Sequence, residues 1–224
     1  ATFVAWSARE LASRAHGALR PLAAGVFLSG LALPGYASAR LAWVRSTPDT
    51  AERAAAWIEG HLDPRDAQIF ATPWWDLPLV RTEESLQDRR GGKPFHVIST
   101  WKTYQASFDP GALPEPHWSI ISLVVLPEYD GQTREGLSAY LDSFGPGYYV
   151  VDAKKRGHPW MRWMSEELEA RGTLLERISP DKDEWAWNYP LFDQDGVEPD
   201  WPDMTPRILG ARSVGPVIEI YRVD

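Results

Sequence analysis

The sequence predicts an α/β protein: one N-terminal transmembrane helix, then a layered α/β domain with a mixed sheet. Two observations lead there. Residues 21–39 carry no charge, and Arg20 and Arg40 close the stretch at its ends; about twenty apolar residues suffice to cross a bilayer core. Beyond it, short apolar runs alternate with periodic stretches of roughly ten to fifteen residues, the pattern of a sheet layered with helices.

The elements follow in order. The uncharged span is rich in Ala, Gly and Ser, small residues that let helices approach closely. Arg9, Arg14 and Arg20 precede it against a single Glu10, and a basic flank of that kind stays in the cytoplasm. The predicted organisation is a cytoplasmic segment 1–20, a transmembrane anchor 21–43 and a periplasmic α/β domain 46–224. Ala37-Ser38-Ala39 also has the form of a signal-peptide cleavage site, with Pro34-Gly35 breaking the helix before it.

Ser46-Thr47-Pro48-Asp49 reads as a helix start with a hydroxyl cap. The helix runs from Asp49 to Leu62, with Ala54, Ala55, Trp57, Ile58 and Leu62 at helical spacing. Strands are predicted at 67–72, 96–100, 119–126, 148–152, 174–178 and 217–223. The run from Ser119 to Leu126 is the most continuously apolar and reads as the central strand. The alternation from Val217 to Val223 suggests a strand with one wetter face. Helices are predicted at 131–144 and 159–171, and a short charged one within 82–92. Residues 108–116 and 179–206 read as loops.

Composition excludes several functions. The first 45 residues hold five Arg and one Glu, which leaves 18 basic and 30 acidic residues in the remainder. So acidic a body lacks the clustered cations that phosphate contacts need, so nucleic acid is not an expected partner. With no cysteine in the chain, disulfides, thiolate metal sites and Cys nucleophiles are excluded together.

Three pieces resemble a known family. The uncharged span runs into STPDTAERAAAWIEGHLDPRDAQIF, then comes GPGYYVVDAKKRG, and the chain ends in GPVIEIYRVD. In this order they resemble the C-terminal end of bacterial multi-span glycosyltransferases of the GT-C type, the dolichyl-phosphate-mannose protein mannosyltransferase-like group. The matching residues are Thr50, Ala54, Trp57 and Ile58, then Ile218, Ile220, Tyr221 and Arg222. The resemblance implies a last membrane helix followed by a small periplasmic α/β domain. That family keeps its catalytic acids in an early extracytoplasmic loop, for which this sequence has no counterpart. No catalytic residue carries over.

Candidate sites are weighed by chemistry. Asp193, Asp195, Glu198 and Asp200 alternate oxygen ligands around Gly196, as in part of a calcium loop, but without its full spacing or closing Glu. A solvated acidic turn is the expected reading. Pro73-Trp74-Trp75-Asp76 offers aromatic faces beside a carboxylate, which suits a sugar; packing or a partner interface is favoured. Lys154, Lys155, Arg156 and His158 precede a helix start, where an anion could sit. Trp160, Trp163, Met164 and Leu168 form a stripe that reads as core. No nucleophile, acid/base pair or cofactor motif is legible.

The expected function is therefore a non-catalytic accessory subunit of a larger membrane complex, its partners being other membrane protein subunits and the lipid bilayer. Trp74, Trp75, Trp185, Trp187 and Trp201 are the expected interface residues. The alternatives are a detached domain that supports a lipid-linked-sugar glycosyltransferase, and a periplasmic module that binds sugar or Ca²⁺. No cofactor is expected.

Overall fold

A computed structural model of the chain describes residues 10, 19–72, 77–87, 104–109, 112–123, 134–153, 159–180, 210 and 212–224. The chain divides into two compact units: Ala1–Ser46 with Pro199–Ala211, which contains the first long helix, and Thr47–Glu198 with Arg212–Asp224, which contains the sheet.

The long helix, α1, spans Leu19–Ser46 and continues through Pro34, so the break expected at Pro34-Gly35 does not occur. Its length would suffice for a bilayer, but its apolarity does not. Among the described residues, no helix is long and apolar enough to cross a membrane. Ala, Gly, Ser, Pro and Tyr outnumber Leu, Val and Phe between residues 21 and 39, and each small or polar residue dilutes the transfer free energy. This finding overturns the transmembrane anchor. The single-pass inner-membrane placement falls with it.

Helix α2, Thr50–His61, starts on a reciprocal cap. The Asp49 carboxylate accepts from Glu52 N–H at 2.7 Å, and the Glu52 carboxylate accepts from Asp49 N–H at 2.9 Å. The expected hydroxyl cap is thus replaced by an aspartate, whose charge also suits the positive end of the helix dipole. The inner side of α2 is Thr50, Ala51, Ala54, Ala55 and Ile58. Three of these are Ala, so the helix axis can lie close to the sheet.

The sheet has five strands: β1 Gln68–Ala71, β2 Ser119–Ser122, β3 Gly147–Asp152, β4 Gly172–Ile178 and β5 Ile218–Val223. Their order is β2-β1-β3-β5-β4. β1 is parallel to β2 and to β3, whereas β5 runs antiparallel between β3 and β4. The sheet is mixed, as the alternating pattern predicts.

Two strand expectations are corrected by this order. The run at Ser119 lies at one end of the sheet and not at its centre. It is buried because Arg81 bridges to Trp118 on its outer side, with Trp118 N–H donating to Val80 O and Thr82 N–H to Trp118 O. Strand β5 is not wet on one face: Ile218, Glu219, Ile220 and Tyr221 are all buried. Its alternation fills two cores of different character.

On one face, Ala54 and Ile58 of α2 pack with Ile69, Ala71, Ile120, Val150, Ile218 and Ile220. On the other, helices α4, Arg134–Asp142, and α5, Pro159–Arg171, cover the sheet. There Leu137, Leu141, Met164 and Leu168 meet Phe70, Tyr149, Val151 and Tyr221. Met164 and Leu168 are core as expected, Trp163 packs at its margin, and the Trp160 side chain lies outside what is described. A short helix α3, Glu83–Gln87, follows β1. The strand predicted at 96–100 lies outside the described residues.

Candidate functional site

Two features stand out, one in each unit. In the first, α1 presents Leu28, Leu31, Tyr36 and Trp43 to solvent, each between 42% and 64% exposed. Their spacing brings them to one broad side of the helix. Arg40 lies over the Trp43 ring, 4.2 Å from its centroid. These are exposed large apolar and aromatic side chains on one side of a helix, of the kind that marks a contact surface.

In the second unit, the strand order creates a topological switch point. The chain leaves β1 toward β2 at one end of the sheet, and leaves β3 toward β4 at the other. The segment after β1 contributes Leu77 and Leu79 to the α2 face, whereas the crossover helices α4 and α5 lie on the opposite face. Chain therefore diverges from the C-terminal ends of the adjacent strands β1 and β3. In open α/β sheets such a divergence is where ligands bind.

Two polar residues sit at these strand ends. Thr72 follows β1, is 1% exposed, and its N–H donates to Val150 O of β3 at 3.1 Å. Its hydroxyl has no hydrogen-bond partner, an uncommon state for a buried polar atom. Asp152 ends β3, pairs in register with Ile218, and is 2% exposed. Neither residue stands out in the sequence reading. A polar residue closing an apolar strand (Ile69-Phe70-Ala71-Thr72 and Tyr149-Val150-Val151-Asp152) is the pattern that could have revealed them.

Other polar clusters hold the fold together. Glu219 is buried in the middle of β5, where it accepts from Tyr221 O–H at 2.8 Å and pairs with Arg177 of β4 at 3.3 Å. Burial, then the hydrogen bond to Glu219, pushes the Tyr221 hydroxyl well above its ordinary range. Tyr149 donates to Gly145 O at 2.7 Å, and burial pushes its hydroxyl up to about 12. Arg171 joins α4 to α5 through Glu167, Asp142 and Ser138. At the β2 end, Arg81 donates to Ile120 O at 2.9 Å, and Gln105 ties Arg81 N–H to Leu79 O. Each of these joins neighbouring elements or satisfies a buried backbone group.

Most sequence-predicted site residues cannot be placed in this frame. Trp74, Trp75, Trp185, Trp187, Trp201, Asp193, Asp195, Glu198 and Asp200 lie outside the described residues, as do Lys154, Lys155, Arg156 and His158. Among the described residues, no group of three or more His, Asp or Glu could hold a metal ion.

The residues behind the family resemblance are structural. Ala54, Ile58, Ile218 and Ile220 share one core, with Trp57 packed against it. Thr50 is buried at the start of α2 and Tyr221 lies in the opposite core. Two segments far apart in sequence thus pack together. Compared with known protein families, with curated proteins and with solved structures, the chain matches none.

Proposed function

We propose that this chain is a non-catalytic accessory part of a larger protein assembly, attached through α1. The observation that carries this reading is the exposed strip of Leu28, Leu31, Tyr36 and Trp43. A helix that turns two leucines and two aromatics to water leaves unused the apolar burial that stabilises most protein helices. Aromatic side chains are enriched at protein interfaces and dominate their energetics. The partner is a protein surface outside residues 1–224, itself apolar and able to face the Arg40–Trp43 pair.

Site-specific photocrosslinking in the source cells tests this. A crosslinker at position 28, 36 or 43 should give one discrete adduct with another polypeptide surface, whereas one at exposed Glu59 of α2 should not. Equal or absent crosslinking at all four positions overturns the proposal.

The residue match favours a second, narrower reading, in which the assembly is a lipid-linked-sugar glycosyltransferase and this domain supports it in trans. Thr50, Ala54, Trp57 and Ile58, with Ile218, Ile220, Tyr221 and Arg222, support it as shared packing residues of one domain type. The same adduct discriminates. A transferase in it supports the narrower reading, and any other protein removes that reading while leaving the broader one.

A further inference from the structure

We infer that what covers the exposed side of α1 is a single acid-bearing α-helix of another protein, lying along the row Gly25, Leu28, Ala32, Gly35, Ala39 and Ala42. The inference rests on the attachment through α1 proposed above and names its partner.

The spacing comes first. The residues of this row follow one another in alternating steps of three and four, and all are exposed. That is the a and d spacing of a heptad, which keeps one seam turned toward a neighbour along its length when the neighbour is a second helix running beside it. From Gly25 to Ala42 the seam runs about 25 Å. The large exposed side chains are arranged about it: Leu28 lies in the row, Leu31 borders it on one side, and Tyr36 and Trp43 border it on the other. The opposite side of α1 is the one already in use, where Val44 is buried and Ala37 and Leu41 are half-buried.

Packing and charge then choose the occupant. Glycine is the poorest helix former after proline. Among the described residues, a Cβ at Gly25 or Gly35 would meet no atom within 4 Å, so within this chain alanine would serve the helix better. Glycine gains where another backbone comes close, and small residues at the contact bring two helix axes to about 8 Å. Leu31 and the two aromatics would then close over the flanks of the approaching helix. α1 holds Arg20, Arg40 and Arg45 and no Asp or Glu. Arg45 falls beyond the Leu31 border and Arg40 beyond the Trp43 border, so cations flank the seam on both sides. A second copy of α1 would set arginine against arginine with no acid in the pair. A helix with Asp or Glu along its own borders is the complement, because flanking charges set partner choice in such pairs.

Photocrosslinking from position 43 of the full chain in the source cells, with the adducts mapped by mass spectrometry, tests this. Gly35→Leu should cut the adduct yield about tenfold or more, because a side chain in the row holds the partner off. Gly30→Leu is the matched control: Gly30 lies opposite the row and has the same open space around it, and its substitution should leave the yield unchanged. Both substitutions should leave helix content by circular dichroism unchanged or raise it, since leucine is the better helix former, so a lost adduct cannot be put down to a lost helix. With the crosslinker moved to positions 28 and 36 as well, the adducts should fall on one segment of the partner, three or four residues apart, with Asp or Glu among its residues. Equal yields from the Gly35→Leu and Gly30→Leu chains overturn the helix partner and leave the attachment through α1 standing. So do adducts to a second copy of this chain, or to partner positions without helical spacing or without acids. Adducts to lipid alone, or no adduct from the unchanged chain, overturn the attachment and this inference together.

Discussion

Helices α1 and α2 follow one another in the chain and are built on opposite plans. α2 has a reciprocal cap, a narrow inner side of small residues and a single Ile, and an outer side of charges. Its apolar residues face its own sheet. α1 is more than twice as long, has no acid in its first turn, and turns Leu28, Leu31, Tyr36 and Trp43 outward. The difference teaches where each helix finds its stabilisation. α2 draws it from tertiary packing within its unit, whereas the exposed side of α1 lacks it until something covers that side.

The sharpest way to break this contrast is to remove core volume on the α2 side. Ile220 is fully buried between the strands and α2, and Ile220→Ala should cost about 2–5 kcal/mol in a denaturant titration. A cost near zero would mean that this face of the sheet does not hold the unit together.

Gly215→Ala should come next. Gly215 has φ +113°, and a Cβ there would collide with the Thr50 side chain at the start of α2. Strain and overpacking together should cost about 1–3 kcal/mol. Thermal unfolding is the measurement, and a midpoint within error of the unchanged chain would show that the α2 start gives way freely.

Removing the cap sharpens the comparison more gently. Asp49→Ala removes the Asp49 side-chain half of the reciprocal cap and should cost about 1 kcal/mol. Asp49→Ser should recover most of it by restoring an acceptor for the Glu52 N–H.

An alkaline titration examines the sheet unit by another route. Tyr149 keeps its proton up to about 12 in the folded chain, because of burial first, with Arg171 opposing and Asp142 adding to the rise. In the unfolded chain a tyrosine titrates near about 10. Between those values the folded state holds the proton that the unfolded state has released. Stability is therefore full below pH ~10 and falls as pH rises toward ~12. Tyr149→Phe should flatten that fall without changing its sign, since Tyr221 is shifted the same way. An unchanged alkaline limb would rule Tyr149 out as a source of it.

The smallest effect is expected on the other helix. Leu31→Ala in the chain by itself should change stability by no more than about 0.5 kcal/mol, as for an exposed position. A cost above about 2 kcal/mol would mean that this side is covered within the chain, and the contrast between the helices would collapse.

Much of the sheet unit was legible. The helices at 50–61 and 159–171 and the strands at 68–71, 147–152 and 218–223 follow from local period, from Pro and Gly punctuation and from apolar runs. The position of each strand in the sheet was not. Ser119–Ser122 reads as central because it is apolar, yet it lies at an end, where the bridge from Arg81 to Trp118 shields it. The wet face expected for the last strand was a misreading of Glu219 and Tyr221. These polar groups are buried because they satisfy one another and Arg177. Thr72 and Asp152 escaped notice because one polar residue at a strand end carries no period or spacing to detect.

By itself the sequence determined the element types, the mixed α/β class and the exclusion of every thiol-based chemistry, because these depend on residue identity and near neighbours. Only the tertiary structure decided the rest. It showed that the uncharged stretch near the start belongs to a helix too weakly apolar to cross a membrane. It placed β5 between β3 and β4, and buried Thr72 and Asp152 at the ends of the neighbouring strands β1 and β3. The physical reason is that burial, register and strand order are properties of pairs of segments far apart in the chain, and local pattern carries no record of which segment will lie beside which.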